Sequence, residues 1–282
     1  MRVPVKLIRT IDGDTAQLLF NGQPESIRFH SVDCEESAPG LGKPMTTAGV
    51  MAKKFTNALL HSANEISIEL DFPRDVELED AMRLSRDRYG RLITHIYIDD
   101  LHLNHELIRL GYSPYFNKYG NSRLYDSQFR QAQAQSIDES RVIWNLETNQ
   151  GGYFRDYESL LPWWDSRAAV VDDARFCSVN ADSTVWSCDN QCSLITGFLG
   201  TAQAISALVD FQNSLQLYKK GSALKVRSGE NLIRVFFPTD VLKFSFRQIE
   251  QLRKSKNYGI VRGIVEQYRG IPQLRVSEIL QT

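Results

Sequence analysis

The fold of this chain is decided near its beginning, by residues 3–29, which read VPVKLIRTIDGDTAQLLFNGQPESIRF. Runs rich in apolar and β-branched residues lie on both sides of Asp12-Gly13-Asp14, a pattern typical of two strands joined by a tight turn. Asn21-Gly22 is the strongest short hairpin signal that a sequence offers, because both residues tolerate a positive φ. The stretch therefore predicts an antiparallel meander with strands over 3–10, 16–20 and 27–29.

The residues that follow extend this meander into a small barrel. Apolar residues at helical spacing predict a helix over 45–63, and the alternation of Ile66, Ile68 and Leu70 predicts a strand over 65–72. A further strand is predicted over 92–98, and helices over 103–110 (closed by Gly111) and 124–136. We therefore predict a mainly β fold with helices (α+β), built on an N-terminal five-stranded barrel of the OB type.

The second half of the chain has a different pattern. Aromatic residues are dense at 153–164, and a helix is predicted over 167–176. Beyond it, a helix is expected from Pro238 to about Arg253, and strands over 194–200, 223–227, 232–237, 258–268 and 273–276. These patterns predict three regions: the barrel domain over 1–146, an aromatic-rich helical connector over 147–182, and a second, smaller OB-like β domain over 183–282.

Charge and composition set loose limits on function. The formal net charge of −1 gives no global sign of nucleic-acid binding, although from residue 180 onward 13 Lys and Arg stand against 8 Asp and Glu. Around Tyr218 and Phe236, basic residues either form a surface for single-stranded nucleic acid or surround an ordinary core. The spacing of Cys177, Cys188 and Cys192 leaves zinc, free thiols or one disulfide open.

The sequence predicts neither a membrane span nor a membrane partner. Apolar runs fall short of the roughly 18–20 residues that a membrane span needs, and no signal peptide is visible. The expectation is a cytoplasmic protein if the sequence is full length, and a secreted one if it is a mature form. The oligomeric state is not indicated.

Carboxylates and arginines in the first half suggest a site for phosphodiester cleavage. Asp14 and Asp33 lie at the ends of predicted neighbouring strands, where they can converge on a hard cation. Arg28 and Arg91 have permanently charged, planar guanidinium groups that can bind a phosphate bidentately. Glu36 can orient or deprotonate an attacking water. Each element alone is more often structural, but together they predict a metal-dependent nuclease.

The order of these motifs resembles the thermonuclease (staphylococcal nuclease-like) family over roughly residues 3–144. The residues that carry the resemblance are Asp12-Gly13-Asp14-Thr15, Arg28 five residues before Asp33, Glu36 three residues after it, Asp87-Arg88-Tyr89-Gly90-Arg91, Asn104, and the closing Ile143-Trp144.

The resemblance implies a Ca²⁺-dependent endonuclease of low sequence specificity acting on DNA, RNA or both, with Mg²⁺ or Mn²⁺ as alternative cations. It implies a metal site of Asp14, Asp33 and the backbone carbonyl of Cys34. Catalysis would then involve Arg28, Glu36 and Arg91, and the nucleotide would be bound by Arg88, Tyr89 and Tyr119.

Two departures from the family pattern leave alternatives open. Glu35 stands where the family usually has Pro, and an acidic insertion over 73–84 precedes Asp87. The insertion could cover the site, screen the substrate or contact the second domain. The alternatives to a nonspecific nuclease are a non-catalytic nucleic-acid or protein-binding scaffold and a nuclease restrained by the insertion or the second domain. Retention of the five catalytic and metal-binding side chains favours an enzyme.

Overall fold

The computed structural model describes residues 2–40, 43–73, 76–145, 147–148, 155–180, 185–188, 191–212, 215–228 and 231–281, and of residues 177–180, 227–228 and 281 it describes the backbone alone. The chain divides into two compact units. The first comprises Met1–Arg86, Arg91–Asn117 and Asn121–Glu158, and the second comprises Asp87–Gly90, Lys118–Gly120 and Ser159–Thr282.

The first unit is a closed five-stranded barrel with helices packed on it, as predicted. Its elements are β1 (Arg2–Asp12), β2 (Thr15–Phe20), β3 (Gln23–Phe29), α1 (Thr47–Ser62), β4 (Ile66–Glu69), α2 (Leu78–Leu84), β5 (Leu92–Ile98), β6 (Leu101–His102), α3 (Leu103–Arg109) and α4 (Asp126–Asp138). Neighbouring strands pair antiparallel as β1–β2, β2–β3, β1–β4 and β4–β5. The parallel pair β3–β5 completes the circle.

Local sequence explains how this barrel is connected. Asn21 and Gly22 have φ of 49° and 77°, so the predicted hairpin forms between β2 and β3. Gly111, at φ 75°, ends the helical stretch after α3. The side chains that alternate inward form the barrel core, among them Leu18, Ile27, Phe29, Leu92 and Ile96. The acidic insertion is partly helical, since it contains α2; Arg74 and Asp75 lie outside the described residues.

The second unit is built on one seven-stranded sheet. Its elements after the long helix α5 (Tyr157–Asn180) are β7 (Val185–Ser187), α6 (Cys192–Thr196), β8 (Ala204–Asp210), β9 (Gln216–Tyr218), β10 (Gly221–Ser228), β11 (Asn231–Pro238), α7 (Thr239–Lys254), β12 (Tyr258–Tyr268) and β13 (Ile271–Gln281). The strand order is β7-β8-β12-β13-β11-β10-β9. The predicted helix after Pro238 and the turn at Arg269-Gly270 are confirmed.

One predicted strand of this unit is wrong. Residues 194–200 were expected to be extended, but the helix α6 begins at Cys192 and turns follow it. The run is apolar enough for a strand, yet Cys192 and Ile195 are both fully buried at helical spacing, which a strand would place on opposite faces. The strand that the sheet uses instead is β8, which the sequence pattern did not single out.

Two of the three cysteines considered for zinc or a disulfide have described side chains. Cys188 and Cys192 are buried, and the Cys192 thiol donates to the Cys188 carbonyl over 2.9 Å, while the side chain of Cys177 lies outside the described residues.

Across the part of the chain that the structure describes, none of the helices is long and apolar enough to cross a membrane.

Candidate active site

The turn between β1 and β2 places the first carboxylate. Gly13 fits closely here, because a Cβ on it would lie 2.8 Å from the Ala52 Cβ of α1. Its carbonyl accepts a hydrogen bond from the Thr56 hydroxyl over 2.7 Å, and its amide donates to the Asp12 carboxylate over 2.8 Å. The turn is therefore fixed to α1, and Asp14, which follows Gly13, is only 2% exposed.

Arg28 joins the two predicted metal-binding carboxylates. From β3, its Nη1 donates to Asp14 Oδ1 and its Nη2 to Asp33 Oδ1, each over 2.5 Å. Nη2 also reaches the Val32 carbonyl at 3.1 Å, and the Cys34 amide donates to Asp14 Oδ2 over 2.7 Å. The β1–β2 turn, the end of β3 and the loop after it thus meet at one cluster of opposite charges.

A second arginine, Arg155, also binds this cluster. Its Nη1 donates to Asp33 Oδ2 over 2.5 Å, so each oxygen of that carboxylate is paired with a different guanidinium. Two residues later, the Tyr157 hydroxyl donates to Glu35 Oε1 over 3.3 Å, and the Tyr157 ring contacts that of Trp144. The segment 155–157 therefore lies over the loop that carries Asp33 and Glu35.

Burial and charge act in opposite directions on the two aspartates. Burial raises the pKa of Asp14, and Arg28 offsets that only in part. Burial also tends to raise the pKa of Asp33, but the guanidinium groups of Arg28 and Arg155 outweigh it and hold this pKa below its usual range. The two pKa shifts therefore differ in direction: the two guanidinium groups favour the ionised form of Asp33, whereas burial favours the protonated form of Asp14.

The adjacent glutamates have different surroundings. Glu35 is buried, and burial raises the pKa of its carboxyl. Glu36 is more open and pairs with Lys43, whose ammonium lies 2.8 Å from Oε1. An exposed pair of this kind is weak, typically about 0–1 kcal/mol, so Glu36 is free to turn towards a substrate.

The start of α1 fixes the loop between these residues and the helix. The Thr46 hydroxyl accepts from the Gly49 amide over 2.9 Å as the N-cap, and the Thr46 amide donates to the Glu36 carbonyl over 3.1 Å. A Cβ on Gly49 would lie 2.2 Å from that same carbonyl oxygen. Only glycine lets the helix backbone approach the Glu35-Glu36 loop this closely.

The remaining predicted site residues are placed less completely. Arg91 lies in the first unit directly before β5, whose Ile93 pairs with Arg28 of β3. Arg88 and Tyr89 lie in the turn Asp87–Gly90, and Tyr119 lies in Lys118–Gly120; both segments group with the second unit. Tyr89 and Tyr119 are exposed aromatic rings, each with a neighbouring cationic side chain over its face. Their binding to nucleotides stays a prediction, as does that of Arg88.

Sequence reasoning missed Arg155. It lies 122 positions from Asp33 along the chain, in an aromatic stretch that the sequence suggested to be a connector. A lone arginine among aromatics gives no sign of a distant carboxylate partner. Glu35 was noted as a departure from the family pattern, but its burial beneath Tyr157 follows only from the fold.

The closed barrel has a carboxylate–arginine cluster at its β1–β2 turn, and part of this unit is similar in sequence to the staphylococcal nuclease family. Residues 26–146 match the family described as staphylococcal nuclease homologue, so the resemblance predicted from the sequence is confirmed for this part of the chain. Arg155 and Tyr157 lie beyond the matched residues.

Among curated proteins, the chain is similar to endonucleases and a thermonuclease. It is 28% identical to endonuclease YncB of Bacillus subtilis (strain 168) over 53% of this chain and 66% of that protein. It is 27% identical to the SPbeta prophage-derived endonuclease YokF of the same strain over 55% and 47%, respectively. For the thermonuclease of Staphylococcus hyicus the identity is 26%, over 50% and 75%. The chain thus spans about two thirds and about half of the lengths of the two Bacillus endonucleases.

Proposed function

We propose that this chain is a metal-dependent endonuclease that hydrolyses phosphodiester bonds of DNA or RNA with low sequence specificity. The observation that carries the proposal is the cluster of Asp14, Arg28 and Asp33, in which one arginine is held between a buried and a half-buried carboxylate. The names of the similar proteins support the reaction class. The substrate and the cation are inferred from the chemistry of the site.

The donor atoms fit a hard cation. Asp14, Asp33 and the carbonyl of Cys34 offer oxygen alone, which suits Ca²⁺ and also Mg²⁺ or Mn²⁺. Burial raises the pKa of Asp14, and a bound cation would favour its ionised form. When bound, the cation would stabilise the negative charge that develops on the phosphate during attack.

The side chains around that position have separate roles. Arg28 uses Nη1 and Nη2 to hold the two carboxylates, and a guanidinium has five N–H donors, so some remain for a phosphate oxygen. Arg91, directly before the strand β5 that pairs with β3, is the second candidate for that contact. Glu36 orients or deprotonates the attacking water after leaving its exposed partner Lys43.

One observation favours the alternative of a non-catalytic scaffold. Both oxygens of Asp33 are occupied by guanidinium groups, so the cluster is partly neutralised by the chain itself. In a scaffold this ion-pair network would be permanent, and the protein would bind nucleic acid or a protein partner without cutting. Calcium binding separates the two functions, because only the nuclease requires that Asp33 accept a cation.

The test is cleavage of labelled single-stranded and duplex DNA and RNA with Ca²⁺, Mg²⁺, Mn²⁺ or a chelator. We expect metal-dependent cutting that falls about 10²–10⁴-fold in Glu36→Gln, because a positioned general base is lost while the fold stays. Arg28→Ala should abolish most activity, whereas Arg9→Ala serves as the control, since Arg9 is exposed on β1 and bonds only to Gln17 among the described contacts. Equal rates in Glu36→Gln and wild type would remove Glu36 from the mechanism. No cutting by folded protein, together with no calcium binding, would favour the scaffold.

A further inference from the structure

A second group of ligand-type side chains lies in the barrel unit. His30 follows β3, Asp71 follows β4 and His95 belongs to β5, so three strands bring them together. One potential ligand atom of each lies within 4.8 Å of the other two. Asp71 is central: its Oδ1 is 3.2 Å from His95 Nε2, and its Oδ2 is 3.5 Å from His30 Nε2.

These distances match those between ligands of one metal ion. Two ligands of a tetrahedral zinc ion, with bonds of about 2.0–2.1 Å, lie about 3.3 Å from each other. The two separations that involve Asp71 lie on either side of that value, although each is to a different carboxylate oxygen, so the carboxylate must turn for one oxygen to serve both histidines. The two histidines are the pair that must approach further, and His30 can turn because its side chain is partly exposed, at 18%.

Each of the three side chains also has a further polar partner. The Nδ1 atom of His30 lies 2.6 Å from the Ser31 hydroxyl, and that of His95 lies 3.3 Å from His102 Nε2. Asp71 accepts from the Ser122 hydroxyl and the Arg123 amide, each over 2.7 Å. Outer partners that leave Nε2 and a carboxylate oxygen facing one point are the usual arrangement around metal-binding histidines and carboxylates.

His95 and Asp71 are both buried, and a buried carboxylate needs a positive charge close to it.

We propose that His30, Asp71 and His95 form a second metal site, specific for a divalent transition cation such as Zn²⁺. Two imidazole nitrogens and one carboxylate oxygen suit Zn²⁺ and its neighbours, in contrast to the all-oxygen cluster of Asp14 and Asp33. The ion would tie the ends of β3 and β4 to β5 and, through Ser122, to the segment before α4. The site is independent of the proposed nuclease reaction.

The experiment is a calorimetric titration of the chelator-treated full chain with Zn²⁺, repeated with Co²⁺ while visible absorption is recorded. We expect one Zn²⁺ per chain and Co²⁺ absorption bands of a site with nitrogen ligands. In His30→Gln the affinity for Zn²⁺ should fall at least tenfold. This variant is chosen because His30 is the partly exposed ligand, and circular dichroism checks its fold. His61→Gln is the matched control, since His61 is exposed on α1 and contacts its own helix backbone.

The outcomes separate this site from the others. Loss of binding in His30→Gln, with binding intact in His61→Gln and in Asp14→Asn, supports the proposal. Absence of Zn²⁺ binding by the folded wild type overturns it and leaves a hydrogen-bonded histidine network. Zn²⁺ binding that survives in His30→Gln, or that is lost in Asp14→Asn, would place the ion elsewhere and also overturns it.

Discussion

The two units share several strand pairings, but the cluster of Asp14, Arg28 and Asp33 belongs to the first unit. In the first unit β2 pairs with β3, β3 runs parallel to β5, and β4 pairs with both β5 and β1. In the second unit β10 pairs with β11, β11 runs parallel to β13, and β12 pairs with both β13 and β8. A helix follows β3 in the first unit (α1), and a helix follows β11 in the second unit (α7). Four pairings therefore correspond, whereas the β1–β2 pair that closes the first barrel has no counterpart between β8 and β10 in the described sheet, so the OB-like character of the second unit stays a prediction.

The difference lies in what connects strand to helix. Between β3 and α1 the first unit has residues 30–46, which include Asp33, Glu35 and Glu36. Between β11 and α7 the second unit has no connecting residue, since β11 ends at Pro238 and α7 begins at Thr239. The shared strand arrangement therefore does not create the site; the loop added to it does.

Buried arginines show the same contrast. Arg28 lies between two carboxylates, whereas Arg167 of the second unit is fully buried with one, Asp210, at 2.9 Å, and against the Tyr258 ring at 3.6 Å. Arg234 is likewise buried, among the rings of Tyr218, Phe236 and Tyr268. Of these two arginines, Arg234 belongs to the predicted basic surface, and its burial favours the structural interpretation for that residue.

The largest effect is expected from a change that displaces the loop between β3 and α1 and leaves the strands intact. In Gly49→Ala the new methyl group would overlap the Glu36 carbonyl oxygen, so the loop must shift. Because a displacement of about 1 Å in an active site can cost about 10²-fold in rate, we expect a loss of that size in cleavage. Gly40→Ala is the control, as a Cβ there has its nearest contact at 3.8 Å. Full activity in Gly49→Ala would mean that the loop position does not determine catalysis.

A smaller effect is expected from Arg155→Ala, which tests whether the cluster is restrained by the chain itself. Removing this guanidinium releases Asp33 Oδ2 for a cation. We expect the dissociation constant for Ca²⁺, measured by calorimetry, to fall about tenfold, which corresponds to about 1.4 kcal/mol. Arg9→Ala should leave it unchanged. Weaker calcium binding in Arg155→Ala would show that Arg155 supports the cation site instead of competing with it.

The smallest effect should come from the second unit. Lys219 and Lys220 are exposed beside the half-exposed Tyr218 and remain available for a nucleic-acid strand. If they contact phosphates, Lys219→Ala with Lys220→Ala should weaken binding of single-stranded DNA a few-fold and reduce the slope of log K against log salt by about 0.7 per lost contact. The matched pair Lys243→Ala with Lys254→Ala, exposed on α7, should change neither. Identical effects of the two pairs would leave the second unit without a specific binding surface.

Local signals predicted what depends on neighbours in the sequence. The Asn21-Gly22 turn, the helix α1 and the proximity of Asp14, Arg28 and Asp33 all follow from short-range patterns or from adjacent strands. The strand expected over 194–200 failed because an apolar run of that length fits a buried helix equally well. Arg155 and the group of His30, Asp71 and His95 depend on contacts between distant segments, for which single side chains give no signal.

The reach of Arg155 across 122 positions also has a consequence for the order of events during synthesis. A ribosome that has released the chain as far as Trp144 has supplied every strand of the barrel, and domains generally begin to fold from the N-terminus as they emerge. At that moment Asp33 has Arg28 as a partner but not Arg155. A nascent or truncated chain would therefore contain the barrel with Asp33 Oδ2 not yet paired with Arg155. The second arginine partner of Asp33 would be added only when the residues after Trp144 have been synthesised.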